Sequence, residues 1–572
     1  MKLIKGSIIA SILSLINVNA SAQNQPKFRM VGGARSIISN QEIDVQDSIA
    51  DKTTPKAKTG GYSLIDLGFN IMPNKQTEIL GMIRIKNQYG GFFGGGVNFD
   101  VRQLWIKGIL ADVIRYQLGD INIKQTPFTL YNHNEDLMRT PGPLNQIFQD
   151  IANYESFYKS NTWLQQGLSL DFGLNFAKGI EEINVNGYVT RLNMTNFANT
   201  PERLLGGSTI DMVLNQKLSL QYNLSSVFDV TGTAIDSNSF RNIVQTTAIR
   251  YTQPIKKQLI EFKAEFGNSY NYFTYDKKSP TLYDYFYNPT VKYITENKRF
   301  NLVFGYLNVG PYFRSPGAQS KRIDYQGILS QFPLYRQYQN DRPIHLQDIL
   351  GDEHIYKTSI SSKLMAYNPI INNVLPYGLA TFNRKGFYVN GSFKNKNEHS
   401  EIQFSHYQLG EILGQGTAAL KSFSMSQLQL NLALGNMLKM SKELKLTTTL
   451  IMQNTKRSGT YDFESIDLNS LQIAAGIEWE FYKDFQFLLG YNYLSGKGNE
   501  MISERNNYTE VIDFIHFNSN IQQNILGTGL KFKFSKTTYL AFLYQMFNHN
   551  NKQNNFENYQ MNQTNIIYNL TF

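Results

Sequence analysis

The chain has 572 residues, of which 17% are charged and 13% aromatic (38 Phe, 35 Tyr, 3 Trp), and it has no cysteine. The missing cysteines exclude disulfides, zinc-thiolate centres, iron–sulfur clusters, thiol nucleophiles and a lipidated cysteine anchor. Charge this sparse is unlike a soluble enzyme, while a mean hydropathy of −0.35 and the lack of any 18-residue apolar run exclude a helical membrane protein.

In chain order, residues 1–5 form a positive start with Lys2 and Lys5, residues 6–16 are apolar, and Ala20-Ser21-Ala22 is a small-residue cleavage motif. Residues 1–22 therefore read as a cleaved signal peptide, and the protein as exported. Residues 23–60 form an N-terminal segment: a possible first strand at 28–37, then an extended polar stretch with Asp44, Asp47, Asp51 and Pro55. From residue 61 to 572 the dominant period is two. Leu168, Leu170, Phe172 and Leu174 alternate with Ser169, Asp171 and Gly173; Ile260, Phe262, Ala264 and Phe266 alternate with Glu261, Lys263 and Glu265. One face is apolar and the other polar, which is strand periodicity.

Short polar turns join the strands at Pro73-Asn74-Lys75, Asn215-Gln216-Lys217, 254–257, 482–484 and Ser535-Lys536. The opposite connections are long: 88–96, 126–162, 273–299, 313–385 and 496–521. Alternating short and long connections suit a transmembrane barrel, with lipid outside, water inside and aromatic residues near strand ends. The expected fold is all-β: a single transmembrane antiparallel β-barrel of about 20 strands (range 16–22), with short periplasmic turns and long extracellular loops. Residues 28–40 and 355–366 are the marginal strands in that count.

The last strand carries Ile566, Tyr568, Leu570 and the final Phe572 on one face. It resembles the terminal strand of bacterial outer-membrane barrels, which implies that these four residues form the barrel-assembly signal read by the assembly machinery. The mature chain as a whole resembles a porin-type outer-membrane barrel, and its Asn-, Lys- and Tyr-rich style resembles proteins of Bacteroidota. The resemblance implies the cell outer membrane as location, and lipid and lipopolysaccharide as surroundings. TonB-dependent receptors carry an N-terminal plug domain; here alternation is already clear at Ile65, Leu67, Phe69 and Ile71, so 23–60 cannot hold one. The segment Val101-Arg102-Gln103-Leu104-Trp105, with Gly119-Asp120, stands out as a motif attached to no characterised family.

Seven histidines show no metal-binding spacing. Ser405 and His406 are strand neighbours and point to opposite faces, so they cannot pair. No catalytic residue, cofactor or metal is expected, and the modest net charge of +10 gives no case for nucleic acid. Loop 126–162 holds Leu144, Ile147 and Phe148 at helical spacing, a candidate constriction folded into the pore; a cap over the barrel is the equal alternative. Loop 313–385 carries nine basic against five acidic residues and could attract anions. Arg115, Glu261, Lys263, Glu265 and Lys531 are the candidate pore-lining residues, and mixed signs suit a general pore. Two functions follow: a passive channel for small polar solutes, or a non-catalytic barrel subunit of a multiprotein outer-membrane machine for secretion, barrel assembly or motility, with envelope protein partners.

Overall fold

A computed structural model describes residues 27–45, 57–89, 97–133, 142–157, 159–199, 201–235, 239–273, 281–319, 369–396, 399–505, 511–555 and 558–572. The signal-peptide segment 1–22 and the marginal strand 355–366 lie outside them. The strands are β1 (Phe28–Val45), β2 (Ala57–Asn74), β3 (Thr77–Gln88), β4 (Val97–Leu110), β5 (Ile114–Ile123), β6 (Trp163–Asn175), β7 (Glu182–Asn193), β8 (Arg203–Asn215), β9 (Leu218–Asp229), β10 (Phe240–Ile255) and β11 (Gln258–Phe273). They continue with β12 (Thr281–Thr295), β13 (Phe300–Val309), β14 (Arg384–Lys394), β15 (Glu401–Gly410), β16 (Ser422–Ala433), β17 (Leu444–Arg457), β18 (Ile466–Tyr482), β19 (Phe485–Arg505), β20 (Val511–Lys533), β21 (Tyr539–Asn551) and β22 (Tyr559–Thr571). Helix α1 is Pro143–Ser156 and the short helix α2 is Pro369–Asn372.

Each strand pairs antiparallel with its chain neighbours, and β1 pairs with β22 from Gly33↔Thr571 to Val45↔Tyr559. The sheet is thus a closed 22-strand barrel, with no free edge to satisfy. Closure is what allows strands to cross lipid, because every backbone donor and acceptor finds a partner in the ladder. The count is two above the expected twenty. Residues 273–299 are not one open loop as the turn pattern suggested: β12 occupies their centre. Its Pro289 disguises it in sequence. The ladder from β12 to β13 is interrupted there, between Tyr287↔Asn308 and Thr290↔Gly305, so no bond requires the missing N–H. Nor is 496–521 a loop: β19 runs to Arg505 and β20 starts at Val511. These strands, 21 and 23 residues long, exceed the roughly 9–11 residues needed to cross a bilayer. Their tips lack a clean apolar alternation: Gly496-Lys497-Gly498-Asn499-Glu500 on β19, and Val511-Ile512-Asp513-Phe514-Ile515 on β20.

Alternation sorts the side chains. On β2, Ile65 and Ile71 are exposed outward while Leu64, Asp66 and Asn70 are buried inward. Aromatic residues ring the exterior near both ends. Tyr270, Tyr283, Tyr285 and Tyr287 face outward near the long-loop end. Trp479, Phe481, Phe485, Phe532, Phe534 and Tyr568 form a chain of ring contacts at the short-turn end. Two aromatic belts flanking an apolar band are the signature of an outer-membrane barrel. Ile566, Tyr568 and Leu570 lie on this outward face of β22, and Phe572 is exposed beyond it.

Among the described residues the interior holds three apolar cores where a water-lined wall would be polar throughout; one is formed by Ile525, Phe547, Tyr559 and Met561 of the wall itself, and the other two seat inserted segments. In the first of these two, Leu144, Ile147, Phe148 and Ile151 of α1 pack on inward-facing Ile37, Leu64, Leu488, Leu543 and Ile567. In the second, Phe128, Phe313, Val374 and Leu375 pack on inward-facing Phe286, Leu307, Tyr388, Tyr407 and Met425. The second core is fastened by Arg384, whose Nε and Nη2 donate to the carbonyls of Val374 and Asn373 (both 3.1 Å), and by Trp163 Nε1, which donates to Gly317 O (3.1 Å).

Candidate functional site

Helix α1 lies inside the barrel, and its position follows from its sequence. Gly142, at φ 78°, turns the chain, and Pro143 starts the helix where a missing N–H costs nothing. Leu144, Ile147, Phe148 and Ile151 then fall on one face. Each is at most 2% exposed, and burying such side chains contributes about 1.5–3 kcal/mol apiece. Phe157 ends the helix in the left-handed conformation, φ 53°. The candidate constriction residues therefore grip the wall. Away from that face, Asp150 is exposed and Gln146 half-buried.

Glycines make the seat for the start of α1. A Cβ on Gly490 would come 2.9 Å from Leu144 Cδ1, one on Gly527 would come 2.7 Å from it, and one on Gly476 would collide with the Pro143 ring. We expect Gly476→Val to unseat α1, because neither a proline ring nor the Leu489 carbonyl, 2.9 Å away, can rotate aside. Overpacking of this kind costs about 1–3 kcal/mol. The check is limited proteolysis of the assembled barrel, read as faster cutting within α1; an unchanged rate would refute the seat.

The other end of α1 is held by charge. Asp66 of β2 and Arg84 of β3 are cross-strand partners. Arg84 donates through Nε to Asp66 Oδ1 (2.7 Å) and through Nη2 to Oδ2 (2.8 Å), a bidentate pair with both side chains fully buried. Arg35 and Arg84 also pair with Glu155 of α1. Arg102 donates to the carbonyls of Glu155 (Nη1, 3.1 Å) and Tyr154, and its guanidinium lies over the Phe157 ring at 4.2 Å. It thereby caps carbonyls that the helix end leaves open and meets the negative end of the helix dipole. Tyr154 donates its hydroxyl to Asp66 Oδ2 (2.5 Å).

Arg102 reaches this place through a backbone irregularity. Met82 pairs with Gln103 but Ile83 with Val101, so Arg102 is the extra residue of a β-bulge. Bulges re-aim side chains. The freed Leu104 N–H is taken by Asp120 Oδ2 at 2.6 Å, and Gly119, at φ 90°, lets β5 approach. The unattached motif at 101–105 and 119–120 is thus one device. Sequence reading did not find Arg35, Asp66, Arg84, Arg102 or Glu155 as a site. The available signal was inward apolar residues such as Leu64 and Ile567, which break the polar register where the helix docks.

The candidate pore residues share the inner face but do not form one cluster. Lys263 pairs with Glu265 at 3.0 Å, Glu261 with Arg250 at 3.8 Å, and Arg115 with Asp171 at 2.6 Å. Lys531 sits near α1, its Nζ 4.6 Å from the centre of the Tyr539 ring. The crowding of the barrel wall raises the pKa of Asp150, and this is offset in part by a hydrogen bond from Gln146 and by the charge of Lys531. His406 meets a residue that the sequence did not suggest: its Nδ1 is 2.8 Å from Ser426 Oγ on the next strand, on the exterior. No acid orients the ring among the described residues. No group of metal ligands occurs among them either.

No protein-family model and no curated protein matches this sequence. Among solved structures, the chain is similar to OmpT of Vibrio cholerae, an outer membrane protein (8% identity, 97% of this chain and 100% of that one, TM-score 0.28). It is similar to OccAB1 of Acinetobacter baumannii (9%, 95% and 96%, TM-score 0.31). It is also similar to the FrpB iron transporter of Neisseria meningitidis, F3-3 variant (7%, 94% and 81%, TM-score 0.44). The barrel itself rests on the strand pairing above, not on these likenesses. A closed barrel with an apolar, belted exterior and a charged interior places the protein among porin-like barrels of the cell outer membrane.

Proposed function

We propose that the protein is a porin-like, non-enzymatic channel for small polar solutes, narrowed by α1. One observation carries this reading: apolar inner-wall residues gather where α1 and the 310–319 and 369–383 segments dock, and toward the long-loop end of β7–β10, where Tyr188, Leu205, Val227 and Val244 are also buried, while the short-turn half of the sector β6–β11 keeps a polar wall. Asp171, Asn184, Asp211, Gln221, Glu261 and Lys263 all remain partly exposed there. Opposite charges are paired along that wall, which suits neutral and mixed solutes better than a strict charge filter. Contact with lipid and lipopolysaccharide outside, and recognition of β22 by the assembly machinery, belong to the same reading.

The test is conductance of the purified protein in a planar bilayer, with reversal potential under a salt gradient. Reproducible steps support the channel. Silence from an assembled barrel supports the second reading, in which the inner segments fill the lumen and the barrel serves a multiprotein machine.

Asp150 gives the channel a pH signature. Its raised pKa means that acidification neutralises it above the ordinary aspartate value of about 3.9. Losing a negative charge near Lys531 shifts selectivity toward anions as pH falls. Asp150→Asn is expected to show that shift already at neutral pH and to lose this part of the pH dependence. Reversal potentials matching those of the unmodified protein at every pH would place Asp150 off the path.

A further inference from the structure

We propose that the short-turn rim of β2–β6 holds a binding site for a small oxyanion-bearing solute, a carboxylate or a phosphate. The site deepens the channel reading, for which it would stage anionic solutes at one mouth. It is a cavity of about 400 Å³ whose lining includes Lys75, Glu78, Lys107, Arg115, Gln117 and Asp171. That volume is in the range of small-molecule pockets, at its lower end.

Register puts the charged groups on one face. Glu78 pairs with Lys107, Lys107 with Gln117, and Gln117 with Ser169, one row across four strands. Arg115 pairs with Asp171 in the next row but one toward the rim. Glu78 belongs to the inward set with Leu80 and Arg84, so both rows face the lumen.

The inventory of donors and acceptors selects the ligand. Both Glu78 oxygens are engaged, Oε1 by Asn70 (2.6 Å) and Oε2 by Lys107 (2.8 Å). Asp171 Oδ1 accepts from Arg115 Nε at 2.6 Å. Arg115 uses only Nε; its terminal nitrogens donate to no described residue, and its side chain is 69% exposed. Lys107, a three-donor ammonium, is 45% exposed, and Lys75 pairs with no described carboxylate. Spare donors therefore outnumber spare acceptors. An incoming carboxylate or phosphate matches the free guanidinium fork and the lysine ammonium beside it.

The site has a built-in reporter. Lys107 Nζ lies 4.5 Å from the centre of the Trp105 ring, so a ligand that engages Lys107 alters the emission of one of only three tryptophans. The experiment titrates succinate, and separately inorganic phosphate, into the detergent-solubilised Trp479→Phe protein at low ionic strength. We expect a saturable fluorescence change with at least one of them, absent in Trp105→Phe. The saturating anion identifies the chemistry. Arg115→Gln and Lys107→Gln should each weaken binding about tenfold or more. Asp171→Asn should tighten it severalfold by releasing Arg115. No saturation with either anion, or binding that survives both cation substitutions, would overturn the site. Binding is measured without transport, so it stands or falls separately from conductance.

Discussion

Replacing Pro143–Ser156 with a short Gly-Ser linker is expected to raise single-channel conductance severalfold without loss of the assembled barrel. The helix occupies the lumen but contributes no strand, so the 22-strand ladder is complete without it. Its removal takes away Asp150 and Glu155 and leaves Arg35, Arg84 and Arg102 on the wall, so anion preference should rise with conductance. Ile37, Leu64, Leu488, Leu543 and Ile567 become wetted, which costs stability in proportion to the apolar area exposed. The deleted protein is first checked for heat-modifiable electrophoretic mobility, then recorded in a planar bilayer. Unchanged conductance from an assembled barrel would show that α1 lies beside the path rather than across it.

Arg84→Ala is expected to be the most damaging single substitution in the wall. Arg84 is fully buried and satisfies both oxygens of a fully buried Asp66. Its loss leaves Asp66 with Tyr154 and with Arg102, whose Nε is 3.7 Å away. Stranding a buried charge costs about 3–5 kcal/mol, whereas replacing both partners with apolar residues is often neutral. The double variant Arg84→Met, Asp66→Leu should therefore recover much of the stability lost in Arg84→Ala. It should not recover the pairing with Glu155, so α1 stays loosely held. Denaturant midpoints of the assembled barrel read the first effect, and proteolysis of α1 reads the second. A single variant as stable as the parent would remove the cluster from the account.

How much of this was legible depends on the range of the interactions. The period of two at Ile260–Phe266, the turn at Asn215-Gln216-Lys217 and the closing face of β22 are local, and lipid outside with water inside imposes them on every strand. They were sufficient for an outer-membrane barrel and for the inward placement of Lys263 and Lys531. The helical spacing of Leu144, Ile147 and Phe148 was legible too. Which face of that helix meets water was not, because this depends on apolar residues from β1, β2, β19, β21 and β22 meeting at one place.

By itself, then, the sequence determined the strand, its two chemical faces and the membrane they require, since each is set by residues within a few positions of one another. The tertiary structure alone decided the number of strands, with Pro289 hidden at an interrupted ladder and the long tips of β19 and β20 outside the alternating pattern. It alone decided that Arg102 leaves its register at a bulge, and that four strands and a helix bring Arg35, Asp66, Arg84, Arg102 and Glu155 together. Closing the barrel sets those neighbours, and no local period records which strands will face each other across a lumen.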